Sequence, residues 1–519
     1  MPSLPARASL AHLHKQAKDL LAAYRGADAA AIARLQASLP AAHSLPSEAI
    51  VARAFRLHDA QSCLAREYGF DSWADLKTFV EGQRAAVPLD VRRADWLRLV
   101  YGRGHDGARP AVAARMLGAA PDLALGDPIF ACAVGDVAGI REAVRADPGW
   151  IHRPSGPYGM PPLVAVTHSS LGLLDTYAPA IEASVQVLLA AGADINGTYI
   201  DPQFPDAPLS ALYGAAGRHH RPRLTQQLLD AGANPNDNES LYHSVETPDL
   251  TCMRLLLAAG ARVPGSNALR HQLDVERLEG LQLLLAHGAD PNEPGALTPL
   301  LWAIRRGRSL PHINALLDAG ASPAVKAHDG STAYEMALAF GLLEVAERLR
   351  AATGEPPAGA LHRFLAACAT GNEPAAREQL QHDPTLLTRL SPLQTQLLPE
   401  LAAAGRGDAV RTMVAIGWPV DVIGGDWSAS ALNHAAMNGD PSLMRYLLAH
   451  GARWDLRHGF GDTVVGTLSW ASINKAAPEG DWVGCMQALV ESGVPVPSRD
   501  YDFSDDVQDY LDSLTPTAG

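Results

Sequence analysis

Aromatic side chains are scarce, at 6% of the 519 residues. That excludes a core built on large rings and favours short helices packed closely through small aliphatic residues, which the abundance of alanine and leucine supplies. No run of about 18 uninterrupted apolar residues occurs, so no membrane span is expected. Positive charge is short: 42 Lys and Arg stand against 56 Asp and Glu, a net charge of −14. Without a basic stripe, binding to a nucleic-acid backbone is not expected. The local basic stretches "RHHRPR" (Arg218 to Arg223) and "IRRGR" (Ile304 to Arg308) read as solvated loop charge. The five cysteines (Cys63, Cys132, Cys252, Cys368 and Cys485) are far apart and form no C-x-x-C. They read as reduced, buried thiols of a cytosolic protein. The start "MPSLPARASLAHLHKQ" has no apolar segment of signal-peptide type, and a cytoplasmic location is expected.

Cofactor motifs are also missing. There is no Walker loop, no G-x-S-x-G and no zinc-finger spacing. "GRGHDG" (Gly102 to Gly107) fits G-x-G-x-x-G, but no strand precedes it, and it reads as chance. No cofactor and no metal are expected.

What the sequence has is a repeated phrase. "VLLAAGADIN" ends at Asn196, "QLLDAGANPN" at Asn236, "LLLAHGADPN" at Asn292 and "YLLAHGARW" at Trp454, with further copies at Val263 and Pro323. Leucines at helical spacing run into a glycine where the helix must stop, and Asp or Asn follows to make the turn. Before each copy lies a second helix start: "PPLVAV", "SALYGAA", "ESLYHS", "NALRHQ", "TPLLWAI", "SALNHAA". One such helix pair cannot bury its own apolar face, so neighbours must stack.

These phrases resemble the ankyrin repeat, with its signature T-P-L-H-x-A and period of about 33 residues. The resemblance covers residues 90 to 497 and implies an all-α solenoid of eleven or twelve repeats. Residues 1–85 read as amphipathic helices capping the array, with Ser72 and Asp75 as a capping box. That segment resembles one preceding ankyrin arrays in some bacterial proteins, so a bacterial source is expected. Divergent repeats at 90–155, core repeats at 156–354, C-terminal repeats at 355–497 and an acidic tail at 498–519 complete the expected organisation.

Loop lengths vary along the array. From the turn glycine to the signature's histidine column the count is 10 for Gly232 to Tyr242 and 10 for Gly260 to Arg270, against 21 for Gly192 to Tyr213. Two repeats have lost the projecting hairpin, and the one before them has gained "TYIDPQFPDAP" with Tyr199 and Phe204. Tyr158 lies just upstream. Loop insertions of this kind commonly mark a binding face.

The signature histidine itself is displaced. Its column holds Tyr242, Arg270 and Asn433, each followed by a histidine: His243, His271 and His434. Residues three apart share a helical face, which pairs His243 with Glu246 and His271 with Asp274. His168, Arg218, Trp302, Arg305 and Arg306 are expected on the same inner face. Packing at about 10 Å would set the two His–carboxylate pairs across a small gap.

Two functional readings follow, beside a purely structural one in which the histidines tie helices together. The resemblance implies a groove that binds a protein or peptide, with Tyr199, Phe204, Trp302 and the arginines as contacts. Alternatively the groove is a hydrolase, lyase or isomerase site for a small anionic ligand. His243 and His271 would then be acid and base, Glu246 and Asp274 their carboxylate partners, and Arg305 or Arg306 the anion holder. A metal set from the same residues has no H-E-x-x-H to support it. The sequence leaves the oligomeric state open.

Overall fold

The computed structural model describes residues 4, 8–40, 42–43, 45–53, 55–82, 87–102, 107–202, 204–474, 476–477, 479–495 and 501–514. Residues 103–106 of the Gly102–Gly107 motif lie outside the described residues.

The regular structure of the described residues is almost wholly α-helical, in successive helix pairs that follow a helical N-terminal segment. It divides into two compact units, residues 1–268 and 269–519. The division falls at the first residue of helix Ala268–Gln272, inside the segment read as the core repeats. Among the described residues five helix pairs precede it and seven follow or straddle it, from Leu89–Tyr101 with Pro110–Ala119 to Val464–Asn474 with Trp482–Glu491.

In the first unit, five helices between Leu10 and Gly82 enclose a core of their own, including Leu13, Leu20, Leu35, Cys63, Trp73 and Leu76. Ser72 caps the helix Trp73–Gly82, accepting from Asp75 N at 3.1 Å and donating to its carboxylate at 2.7 Å. The Arg115 guanidinium, on the next helix pair, stacks on Phe70 at 4.1 Å and donates to the Tyr68 carbonyl. The N-terminal block is thus seated on the first pair of the array. In the second unit, Val507 and Leu511 of helix Asp505–Leu514 bury themselves against the last pair.

The repeated phrase has a specific physical content. Its glycine ends each helix in the left-handed region, with φ of +92° at Gly192 and Gly232 and +93° at Gly260. A Cβ there would meet no atom within 4 Å, so glycine is required by backbone conformation and not by space. The Asp or Asn after it folds the turn: the Asp290 carboxylate accepts from Asn292 N at 2.8 Å. The closing Asn then reaches the next repeat. Asn292 Oδ1 accepts from Ser322 N at 2.8 Å, and its Nδ2 donates to the Gly320 carbonyl at 2.8 Å. Asn236 does the same for Arg262 N and the Gly260 carbonyl. In each of these two turns one side chain satisfies backbone of the next turn that stacking would otherwise leave unpaired.

Hairpins follow the loop lengths. The long insertion forms strands Thr198–Ile200 and Pro208–Ser210, paired antiparallel with Tyr199 opposite Leu209. Ile423–Gly424 pairs with Ala429–Ser430 in a shorter version. Between Gly232 and Tyr242, and between Gly260 and Arg270, the described backbone has no strand.

All five cysteines are unpaired and buried. Burial pushes the Cys63 and Cys368 thiols up to about 12, away from reactivity.

Candidate functional site

In the first unit, Asp237 sets the geometry. It lies in the shortened loop and accepts from Ser240 N at 2.9 Å, Ser240 Oγ at 2.7 Å and Ser210 Oγ at 2.5 Å. Both serines begin first helices, so one carboxylate ties adjacent repeats together where the hairpin is missing. Asn238 takes a left-handed φ of +71° to enter the five-residue helix Glu239–His243. That fixes the rotational phase of His243.

His243 lies between two carboxylates. Its Nδ1 is 2.7 Å from Glu246 Oε1 and its Nε2 is 3.3 Å from Glu239 Oε2. The rings of Tyr213 and Tyr242 pack against it at 5.2 and 4.8 Å. Burial disfavours the charged ring. The hydrogen bonds and charges of Glu239 and Glu246 together outweigh it and raise the pKa to about 9. At neutral pH His243 is therefore an imidazolium with both N–H groups directed at carboxylates. In that state it can donate a proton or hold a charge.

His168 was expected to meet a ligand. It is wholly buried, so it lies behind the wall and not on it. The inner position of the sequence pattern does not reveal that the neighbouring hairpin covers this ring. His168 packs against Tyr199 and Tyr213 at 5.3 and 5.6 Å, and Nε2 donates to the Ser210 carbonyl at 2.9 Å. Its Nδ1 has no hydrogen-bond partner. Burial, then the Arg218 charge, pushes its pKa well down, so the ring is neutral.

Arg218 ends a π-helical turn, Gly214–Arg218. It donates to the Tyr101 carbonyl and hydrogen-bonds Tyr199. Tyr199 is largely buried on its strand, and Tyr158 packs edge-on to Tyr101 at 5.8 Å. Phe204, by contrast, stands 51% exposed in the hairpin loop.

In the second unit an ion-pair network runs from His271. Its Nδ1 is 3.1 Å from Asp274 Oδ2. Asp274 Oδ1 accepts from Trp302 Nε1 at 3.0 Å and from Arg306 Nε at 2.8 Å. Arg306 goes on to Asp426 at 2.7 Å, Asp426 to Arg305 at 2.8 Å, and Arg305 to Glu400 at 2.8 Å. The Trp302 ring underlies both guanidiniums, at 4.4 Å from Arg306 and 5.3 Å from Arg305. Burial works against ionisation of Asp274. Its bond to His271 and the Arg306 charge more than offset that and hold the carboxyl below its ordinary range. Both arginines thus have internal carboxylate partners, and an incoming anion would have to displace them.

His434 departs from the expected groove row. Trp427 packs edge-on to it at 4.8 Å, and burial lowers its pKa to about 4. Two of the column residues before the displaced histidines, Arg270 and Asn433, take over inter-repeat bonding. Arg270 donates to the Leu297 carbonyl at 3.2 Å and to the Glu293 carbonyl at 2.9 Å, while Asn433 donates to Thr467 Oγ1 at 2.9 Å. That bonding frees the next position to carry another role.

The structure therefore brings His168, Tyr199 and Arg218 near one another in the first unit, with His243 joined through Tyr213. It brings His271, Asp274, Trp302, Arg305 and Arg306 together in the second. The two His–carboxylate pairs lie in different units, and each is complete within its own. Glu239, Tyr213, Glu400 and Asp426 were missed. Glu239, four residues before His243, carried the ordinary helical i,i+4 signal. Among the described residues no group of three or more His, Cys, Asp or Glu side chains is placed to hold a metal ion, and no helix is long and apolar enough to cross a membrane.

No protein-family model matches the sequence, and no curated protein matches it. Among solved structures, the ankyrin repeat domain of human ASB11 is similar at 22% identity and a TM-score of 0.22. The match covers 44% of this chain and 99% of that domain.

Proposed function

We propose that the chain is a recognition scaffold whose repeats bind a protein or peptide partner on their inner face and hairpin edge, through residues of each unit within 158 to 306. The observation that carries this reading is the internal ion pairing of the candidate charges. His243 is held as a cation by Glu239 and Glu246, and Arg305 and Arg306 are neutralised by Glu400, Asp426 and Asp274. Internally paired charges beside an exposed aromatic side chain, Phe204 in the first unit and the partly exposed Trp302 in the second, are what a preorganised binding surface offers in each.

The alternative, an enzyme acting on a small anion, is tested in the same experiment. The full chain is screened by thermal shift against randomised short peptides and against small phosphate- and carboxylate-bearing molecules. Stabilisation by peptides, weakened in Phe204→Ala, is the expected result. Stabilisation by a small anion that disappears in Arg306→Ala would overturn the reading in favour of the enzyme.

A further inference from the structure

A cavity of about 300 Å³ lies within the second unit, apart from the histidine pairs. It opens among helices Pro299–Arg305, Ala333–Ala339, Ala360–Ala369 and Leu397–Ala403. Its walls are apolar: Met336, Ala339, Phe340, Leu365, Leu393 and Leu397. Leu393, on this wall, is 53% exposed and therefore accessible to a partner.

The charged groups of this cavity are unbalanced. Asp329, Glu335 and Glu400 supply three carboxylates against the single guanidinium of Arg305. Arg305 is shared further, between Glu400 and Asp426. Glu335 caps its helix through Thr332 N at 3.0 Å and lies 3.4 Å from His362 Nδ1. The surroundings are therefore negative, in a chain whose net charge is −14. Gln394 and Gln396 add neutral amides on one wall. The volume sits at the lower limit for small-ligand pockets. A large apolar side chain is smaller than this volume and can enter it.

We infer that this cavity seats an apolar side chain of an extended partner segment, with a neighbouring Lys or Arg of that segment set against Asp329 and Glu335. The inference rests on the recognition reading above and names the chemistry of the partner. An acidic segment meets like charge at the rim and is rejected, which gives the site selectivity as well as affinity.

The test uses the full chain and a displayed library of random peptides. Enriched sequences should carry Leu, Met or Phe with Lys or Arg close beside it. The leading sequence, made with a fluorescent label, is then titrated by anisotropy. Replacing its apolar residue by Ala should weaken binding about ten- to a hundredfold. Met336→Lys should do the same, because it sets a cation in the apolar space. Leu393→Lys, at an exposed position that folding tolerates, is the second variant, and circular dichroism checks the fold of both. Enriched peptides that are acidic or lack an apolar anchor, or binding indifferent to both variants, would overturn the inference and leave the recognition reading standing. A selection that enriches nothing would sink both.

Discussion

The His243 clamp gives the sharpest quantitative expectation. An ordinary histidine titrates near 6.5, and this one is raised to about 9. Its folded-state pKa is the higher one, so the stabilisation is complete below 6.5 and is lost as pH rises through about 9. At 1.36 kcal/mol per pH unit the difference gives at most about 3–4 kcal/mol. Glu246 is 45% exposed, and screening by solvent reduces the expected contribution to about 1–2 kcal/mol. Urea unfolding at intervals from about pH 6 to 9.5 should show this loss in the wild type. In a chain carrying both Glu239→Gln and Glu246→Gln the loss should be absent and the stability lower at neutral pH. The imidazole Cε1–H signal, assigned by its disappearance in His243→Gln, should titrate near 9 and move down in each single variant. A midpoint at or below 6.5, or identical pH profiles for wild type and double variant, would refute the reasoning.

Three further expectations follow from other contacts. Asp426→Ala removes the carboxylate that links Arg305 to Arg306; chemical unfolding should report a loss of about 1–3 kcal/mol, smaller in high salt. Gly214→Ala would place a Cβ 2.4 Å from His168 Cδ2 in a fully packed site. It should cost about 1–3 kcal/mol, and a His168→Ala background should relieve most of that in a double-mutant cycle. Asn292→Ala deletes two hydrogen bonds between successive turns; a loss of about 1–2 kcal/mol is expected, measured by the shift in the urea midpoint.

Local regularities were readable from the chain alone because they follow from short-range sterics and helical geometry. The terminal glycines, the Asx turns, the missing hairpins after Gly232 and Gly260, and the pairing of His243 with Glu246 and of His271 with Asp274 all lie within a few residues of their cause. Glu239 could have been found the same way. Asp237 could not, because its grip on both Ser210 and Ser240 needs two repeats to be stacked.

The charge state of the candidate site was decided elsewhere. Arg305 meets Glu400 and Arg306 meets Asp426 across 95 and 120 residues, separations at which no periodicity speaks. His168 shared its helical phase with less buried residues, and the inserted hairpin together with Tyr213 and Gly214 covered it. The apolar cavity near Met336 likewise exists only where four first helices converge. The sequence by itself determined the repeat, its stops and the faces of its helices, since these depend on each residue's own backbone and nearest turn. The tertiary structure decided which side chains are neutralised, buried or left open, since charge pairing and solvent exclusion depend on distance in space and not on distance along the chain.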